Sequence, residues 1–232
     1  MKRLVIITVL SLTACILHAL MLQTPFNDYL YTSAFKIAAF IFFPFIYFHV
    51  FHEGKLKDLF SMFSVKDIKS PKIPVFLGLG VFIFIMIGFI ILNPLTDPLM
   101  VNNALYDIGI TAGNAVFAAV YIVVINAALE QFFFRGFVFI SLYRMNFKLY
   151  AHTYSSVLFA LYHVPVLFNA LTPLMLILST AGLVAAGLIF NLLVIKTNSL
   201  SGALIVHISA NLSLSIMIGI FFLDMFAIIS LI

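Results

Sequence analysis

Apolar runs long enough to cross a bilayer follow one another along nearly the whole chain, and they leave little choice of fold. A hydrocarbon core about 30 Å thick takes about 20 residues of α-helix. Inside it every backbone N–H and C=O must be satisfied within the protein, which a helix achieves unaided. Seven spans fit, over 4–22, 33–51, 74–93, 112–142, 150–168, 172–195 and 199–223, with Met225–Ile232 as a short apolar tail where the last span breaks or tilts. The expected fold is all-α: a single integral membrane domain over 1–232, a polytopic bundle of about seven transmembrane helices around an intramembrane polar cavity. A composition that is 64% hydrophobic and 9% charged, with mean hydropathy +1.22, excludes a soluble globular domain.

Charge placement gives an expected orientation. With the N-terminus cytoplasmic, the inner face collects Lys2, Arg3, Arg144, Lys148, Lys196 and the five lysines of the Glu53–Lys72 loop. The outer face keeps Lys36, near a span end, against Asp28, Asp97, Asp107 and Asp224. That split is the positive-inside pattern. The Glu53–Lys72 loop reads as an ordinary cytoplasmic loop, in preference to an amphipathic segment on anionic lipid. Lys2-Arg3 before the apolar Leu4–Leu22 imitates a signal peptide, but no small-x-small site follows, so this is read as a retained span. The net charge of +4 is spread over loops without interleaved stacking aromatics, so no nucleic-acid partner is expected. The single cysteine, Cys15, excludes intramolecular disulfides and Cys-based zinc sites.

Against this background, Glu130 and Arg135 stand out in Leu129-Glu-Gln-Phe-Phe-Phe-Arg-Gly136, deep within an apolar run. An ionisable group at that depth costs roughly 2.5–3.5 kcal/mol on insertion scales, and chains keep one where it faces a polar interior and acts there. At ~1.5 Å per residue, Glu130, His163 and Asn211 each lie roughly 18–20 Å from the inner ends of their spans, with His207 one turn nearer the cytoplasm. His207 and Asn211 are i,i+4 and share a face, as do Asn126 and Glu130, and Phe159 and His163. Glu130 and Arg135, five apart, diverge by about 140° on an α-helix, so Arg135 is expected to reach the inner interface or a carbonyl cluster. Pro165 bends the helix that carries His163. His18, His49, His52 and His152 are read as structural or interfacial, and Phe132–Phe134 as lipid-facing and packing bulk. Asn126 and Tyr162 are placed near the cavity without a role.

These residue types suit hydrolysis. A buried carboxylate can act as general base on water with an imidazole assisting, and an amide and a second imidazole can stabilise the oxyanion. The competing chemistry is zinc held by Glu130, His163 and His207, although no H-E-x-x-H occurs.

Glu130-Gln-Phe-Phe-Phe-Arg-Gly136, Phe159-Ala-Leu-Tyr-His163 and His207-Ile-Ser-Ala-Asn211 resemble, in order and spacing, the three motifs of the CAAX-prenyl-protease and bacteriocin-processing (Abi) family of intramembrane proteases. Those patterns are E-E-x-x-x-R, F-x-x-x-H and H-x-x-x-N, and the resemblance covers a core of about 112–215. It implies a helix bundle that hydrolyses a peptide bond near the membrane in a membrane-associated peptide or protein. It also implies Glu130 as the water-activating base, His163 as its assistant, His207 and Asn211 as oxyanion or cavity residues, and Gln131, Arg135 and Phe159 in support. Gln131 departs from the pattern, which has a second Glu there. Losing that charge makes a divalent-metal site less favourable, so the expectation is a site without cofactor, zinc being the alternative. It also leaves room for a non-catalytic scaffold. A small transporter is the third reading, weakened by the absence of inverted halves.

Overall fold

A computed structural model of the chain describes residues 1–24, 28–51, 61–63 and 71–229, and these are helical almost throughout. The helices are α1 (Lys2–Met21), α2 (Tyr29–Phe51), α3 (Lys72–Leu92), α4 (Pro98–Asp107), α5 (Ala115–Arg144), α6 (Lys148–Leu167), α7 (Pro173–Thr197) and α8 (Leu200–Ile229). Among the described residues six, all but α4 and α6, are long and apolar enough to cross a membrane, and the protein is an integral membrane protein. Helix α6 lies where a seventh span is expected, but Lys148, His152, Thr153, Ser155, Ser156 and His163 make it the least apolar long helix. The last span does not break before residue 225, since the backbone of α8 is helical to Ile229; residues 230–232 lie outside the described residues. So does most of the Glu53–Lys72 loop, together with His52.

Local signals explain the ends. Asp97 caps α4 by accepting from Leu99 N at 2.9 Å, and Pro98 occupies the first helical turn, where its missing N–H costs nothing. Asn146 and Asn198 turn the chain after α5 and α7 at φ of 67° and 51°, in the left-handed region that asparagine tolerates. Ser61–Phe63 is tied to the start of α8: Met62 O accepts from Leu200 N at 2.8 Å, and Phe63 O from Ser201 Oγ at 2.7 Å.

Helix α5 is the axis of the bundle and touches α1, α2, α6, α7 and α8. Two stretches of it, Tyr121–Asn126 and Gln131–Phe139, are π-helical, with i→i+5 pairing that accommodates an extra residue per turn. All of Gln131–Phe139 is buried, which corrects the expectation that Phe132–Phe134 face lipid. With neighbours on several sides the three rings become core, and Phe133 stacks on Phe40 of α2 at 4.0 Å.

Elsewhere close approach and small polar side chains join the helices, as is usual where lipid gives no hydrophobic drive to association. Gly187 of α7 lies so near α6 that a Cβ there would stand 2.8 Å from Ser156 Cα. Beside it Asn191 Nδ2 donates to Ser155 Oγ and Ser156 Oγ at 2.8 and 3.1 Å. Ser11 and Thr8 of α1 meet the hydroxyls of Tyr154 and Tyr150 at 2.8 and 3.0 Å. An apolar groove of about 310 Å³ lies between α2 and α5, lined by Ile37, Ile41, Phe63, Ile125, Ala128, Leu129 and Phe132.

Lys36 is not at the outer surface. It sits about 10 Å along α2 from Tyr29 and is buried. Removing it from the outer face sharpens the lysine asymmetry, so the 53–72 loop is expected inside and the 94–110 segment outside. In a Cys15→Ala background, a cysteine at position 66 should be labelled only after permeabilisation. One at Asn103, exposed where Asn102 is buried, should react without it. The opposite labelling pattern would invert the orientation.

Candidate active site

The site is built around the carboxylate of Glu130, 1% exposed, at the point where α5 passes from an α-turn into its second π stretch. Its two oxygens have different surroundings. Oε1 accepts from Asn126 Nδ2 at 2.9 Å and lies 3.7 Å from Lys36 Nζ. Oε2 has no hydrogen-bond partner among the described residues and lies 3.7 Å from His163 Nε2 and 3.6 Å from His207 Nε2. Both separations exceed hydrogen-bond length. Helices α2, α5, α6 and α8 thus each bring a polar group to one carboxylate.

Each imidazole is held from behind. His163 Nδ1 is 2.7 Å from Phe159 O, and a carbonyl can only accept, so Nδ1 carries the proton. His207 Nδ1 is 3.0 Å from Gln131 Nε2, and the His207 ring lies over Phe190 at 5.1 Å. An amide nitrogen only donates, so Nδ1 of His207 accepts and the neutral ring carries its proton on Nε2. The F-x-x-x-H spacing therefore has a physical reading: one helical turn brings the Phe159 carbonyl beneath the His163 ring. The Phe159 ring also packs edge-on against His163 at 4.7 Å.

Arg135 departs from its expected place. It reaches neither an interface nor a carbonyl cluster; it is fully buried, with its guanidinium 4.1 Å from the Phe159 ring centre and 4.8 Å from that of Phe190. None of its nitrogens has a hydrogen-bond partner among the described residues. A divergence of about 140° holds for 3.6 residues per turn, and the π stretch that begins at Gln131 changes which face residue 135 presents. The contact is cation–π, in the very aromatic group that backs His207.

Asn211 is in the right helix, one turn beyond His207, but no hydrogen bond or ion pair joins it to Glu130 among the described residues. Its Nδ2 donates to Ile122 O at 2.8 Å, a carbonyl in the first π stretch. Lys36 is the residue that sequence reasoning places elsewhere, at the outer face, and Asn126 one that it places near the cavity without a role. Asn126 carried a signal in its i,i+4 relation to Glu130; Lys36 carried one as a lone lysine between Phe35 and Ile37, inside an apolar run. His18 stacks on Tyr162 at 5.3 Å, and the Tyr162 ring lies 5.7 Å from Lys36 Nζ, so this pair walls the site.

Glu130, His163 and His207, the set considered for zinc, do converge. Even so, no group of three or more His, Cys, Asp or Glu side chains among the described residues is arranged to hold a metal ion.

No curated protein and no solved structure gives a significant match to this chain. A protein family does: residues 112–213, which carry Glu130, Gln131, Arg135, Phe159, His163, His207 and Asn211, match the family described as type II CAAX prenyl endopeptidase Rce1-like, in agreement with the resemblance of the three motifs.

Proposed function

We propose that this chain is an intramembrane endopeptidase in which Glu130 activates the water that hydrolyses a peptide bond of a membrane-associated peptide or protein. The observation that carries the reading is the inequality of the two carboxylate oxygens. Oε1 accepts a hydrogen bond from Asn126, whose amide oxygen is held in turn by Lys36, while Oε2 is without a hydrogen bond among the described residues and faces two imidazoles. A base in this position needs one oxygen fixed and the other open to the proton it takes.

Water held at Oε2 gives a proton to Glu130 as its oxygen bonds to the scissile carbonyl carbon. The C=O π pair moves onto oxygen, forming the tetrahedral oxyanion. On collapse the C–N bond breaks, and the proton held by Glu130 passes to the leaving nitrogen, restoring the carboxylate. His163, protonated on Nδ1, keeps its Nε2 lone pair for the same water. His207, protonated on Nε2 through Gln131, is a donor for the oxyanion. Asn211 uses one amide hydrogen on Ile122 O and has a second to give. The substitution of Gln for the family's second Glu is thereby compatible with catalysis: an amide can donate to Nδ1 where an ionised carboxylate cannot.

Glu130→Gln keeps the shape and removes the base, so turnover of a prenylated peptide ending in a CAAX motif should fall by at least ~10². Wild-type turnover by that variant would end the reading.

Gln131→Leu should lower kcat at least about tenfold with KM little changed, because His207 loses the donor that selects its tautomer. An unchanged kcat would mean that the Gln131–His207 contact is only structural.

Turnover should persist in strong chelator, while Asn211→Ala should cost on the order of 10², the scale of one oxyanion donor. Activity abolished by chelation and restored by zinc would reassign Glu130, His163 and His207 as ligands.

A further inference from the structure

We infer that Lys36 is a positioning residue for Glu130: acting with Asn126, it fixes one carboxylate oxygen and so turns the other toward the reacting water. This rests on the endopeptidase reading and adds to it a residue from α2, outside the 112–213 segment that matches the family.

A lysine near the end of a membrane helix ordinarily extends its ammonium to the interface, since its long stem reaches that far. Lys36 points the other way. Its Nζ donates to Asn126 Oδ1, and Asn126 Nδ2 donates to Glu130 Oε1 at 2.9 Å, with Nζ itself 3.7 Å from the same oxygen. An amide placed between an ammonium and a carboxylate can satisfy both in one orientation only, with its oxygen to the lysine and its nitrogen to the glutamate. Lys36 therefore sets Asn126, and both set the carboxylate. The ammonium is itself held from a second side by the Tyr162 ring at 5.7 Å.

Two effects follow. The positive charge lies on the Oε1 side, so it offsets the charge of Glu130 without occupying Oε2. The rotation of the carboxylate is also restricted, and with it the direction in which Oε2 meets the water between Glu130 and the imidazoles. Without Lys36, Asn126 is free to turn its amide over, and the carboxylate can rotate against either histidine. The lysine needs no contact with substrate to do this.

The test uses the full-length protein in detergent and the same prenylated CAAX peptide. Lys36→Met retains length and removes charge; its kcat should fall on the order of 10²-fold, the scale of a small misplacement of a reacting group, while KM changes by less than about twofold. Lys36→Arg, which keeps the charge, should recover kcat to within about tenfold of wild type. A thermal-unfolding cycle reads the same contact without activity. Glu130→Gln and Lys36→Met should each lower the midpoint by leaving one charge unanswered, and the double variant should stand above both. That cycle also covers the case in which Lys36→Met is too unstable to assay. Wild-type kcat in Lys36→Met overturns the inference. So does a loss that Lys36→Arg does not relieve together with additive midpoints, which would mark a merely structural lysine. Wild-type turnover by Glu130→Gln would instead overturn the endopeptidase reading.

Discussion

A carboxylate carried into the middle of a bilayer has to be answered by other polar groups, and the arrangement of this bundle follows from how Glu130 is answered. Its partners come one from each of α2, α6 and α8, with Asn126 from its own helix. Each contact sets the depth and rotation of the helix that supplies it. Leaving a buried charge unanswered costs several kcal/mol, more than any one apolar contact in the bundle provides. The apolar faces tolerate many rotations, because lipid is as apolar as the rings it would replace. The polar cluster tolerates very few.

The two π stretches of α5 lie on either side of this point and change what each helix face presents. Tyr121–Asn126 offers the Ile122 carbonyl to Asn211, which pins α8. Gln131–Phe139 brings Gln131 under His207 and sends Arg135 in among Phe134, Phe159 and Phe190. Helical irregularities of this kind are rare overall but frequent at functional sites. Arg135 gains its position from ring faces, with no hydrogen bond to a carbonyl or carboxylate among the described residues.

Much of this was legible in the sequence. Apolar run lengths gave the helices, and the i,i+4 spacings of Asn126/Glu130, Phe159/His163 and His207/Asn211 gave shared faces. What escaped has a common cause: each missed feature depends on a neighbour that one-dimensional periodicity does not see. Lys36 lies close enough to a span end to pass for a boundary residue until Asn126 is placed opposite it. Phe132–Phe134 look like lipid-facing bulk until α5 proves to be central. Arg135 falls on the wrong side of an ideal α-helix, and Gln131–Phe139 is not one. Helix α6 reads as a span by its position, although Ser155, Ser156 and His163 are matched to Asn191, Phe159 O and Glu130 rather than to lipid.

That mismatch between α6 and lipid bears on how the protein is made. Apolar helices can enter the bilayer independently and associate afterwards, whereas a segment as polar as Lys148–Leu167 partitions poorly by itself. Its Tyr150 and Tyr154 hydroxyls meet α1, but Ser155 and Ser156 find their amide partner, Asn191, and the close approach at Gly187 only once α7 has emerged. Insertion of α6 is therefore coupled to assembly. A chain stalled before α7 would leave Ser155 and Ser156 without the amide that ties α6 into the bundle.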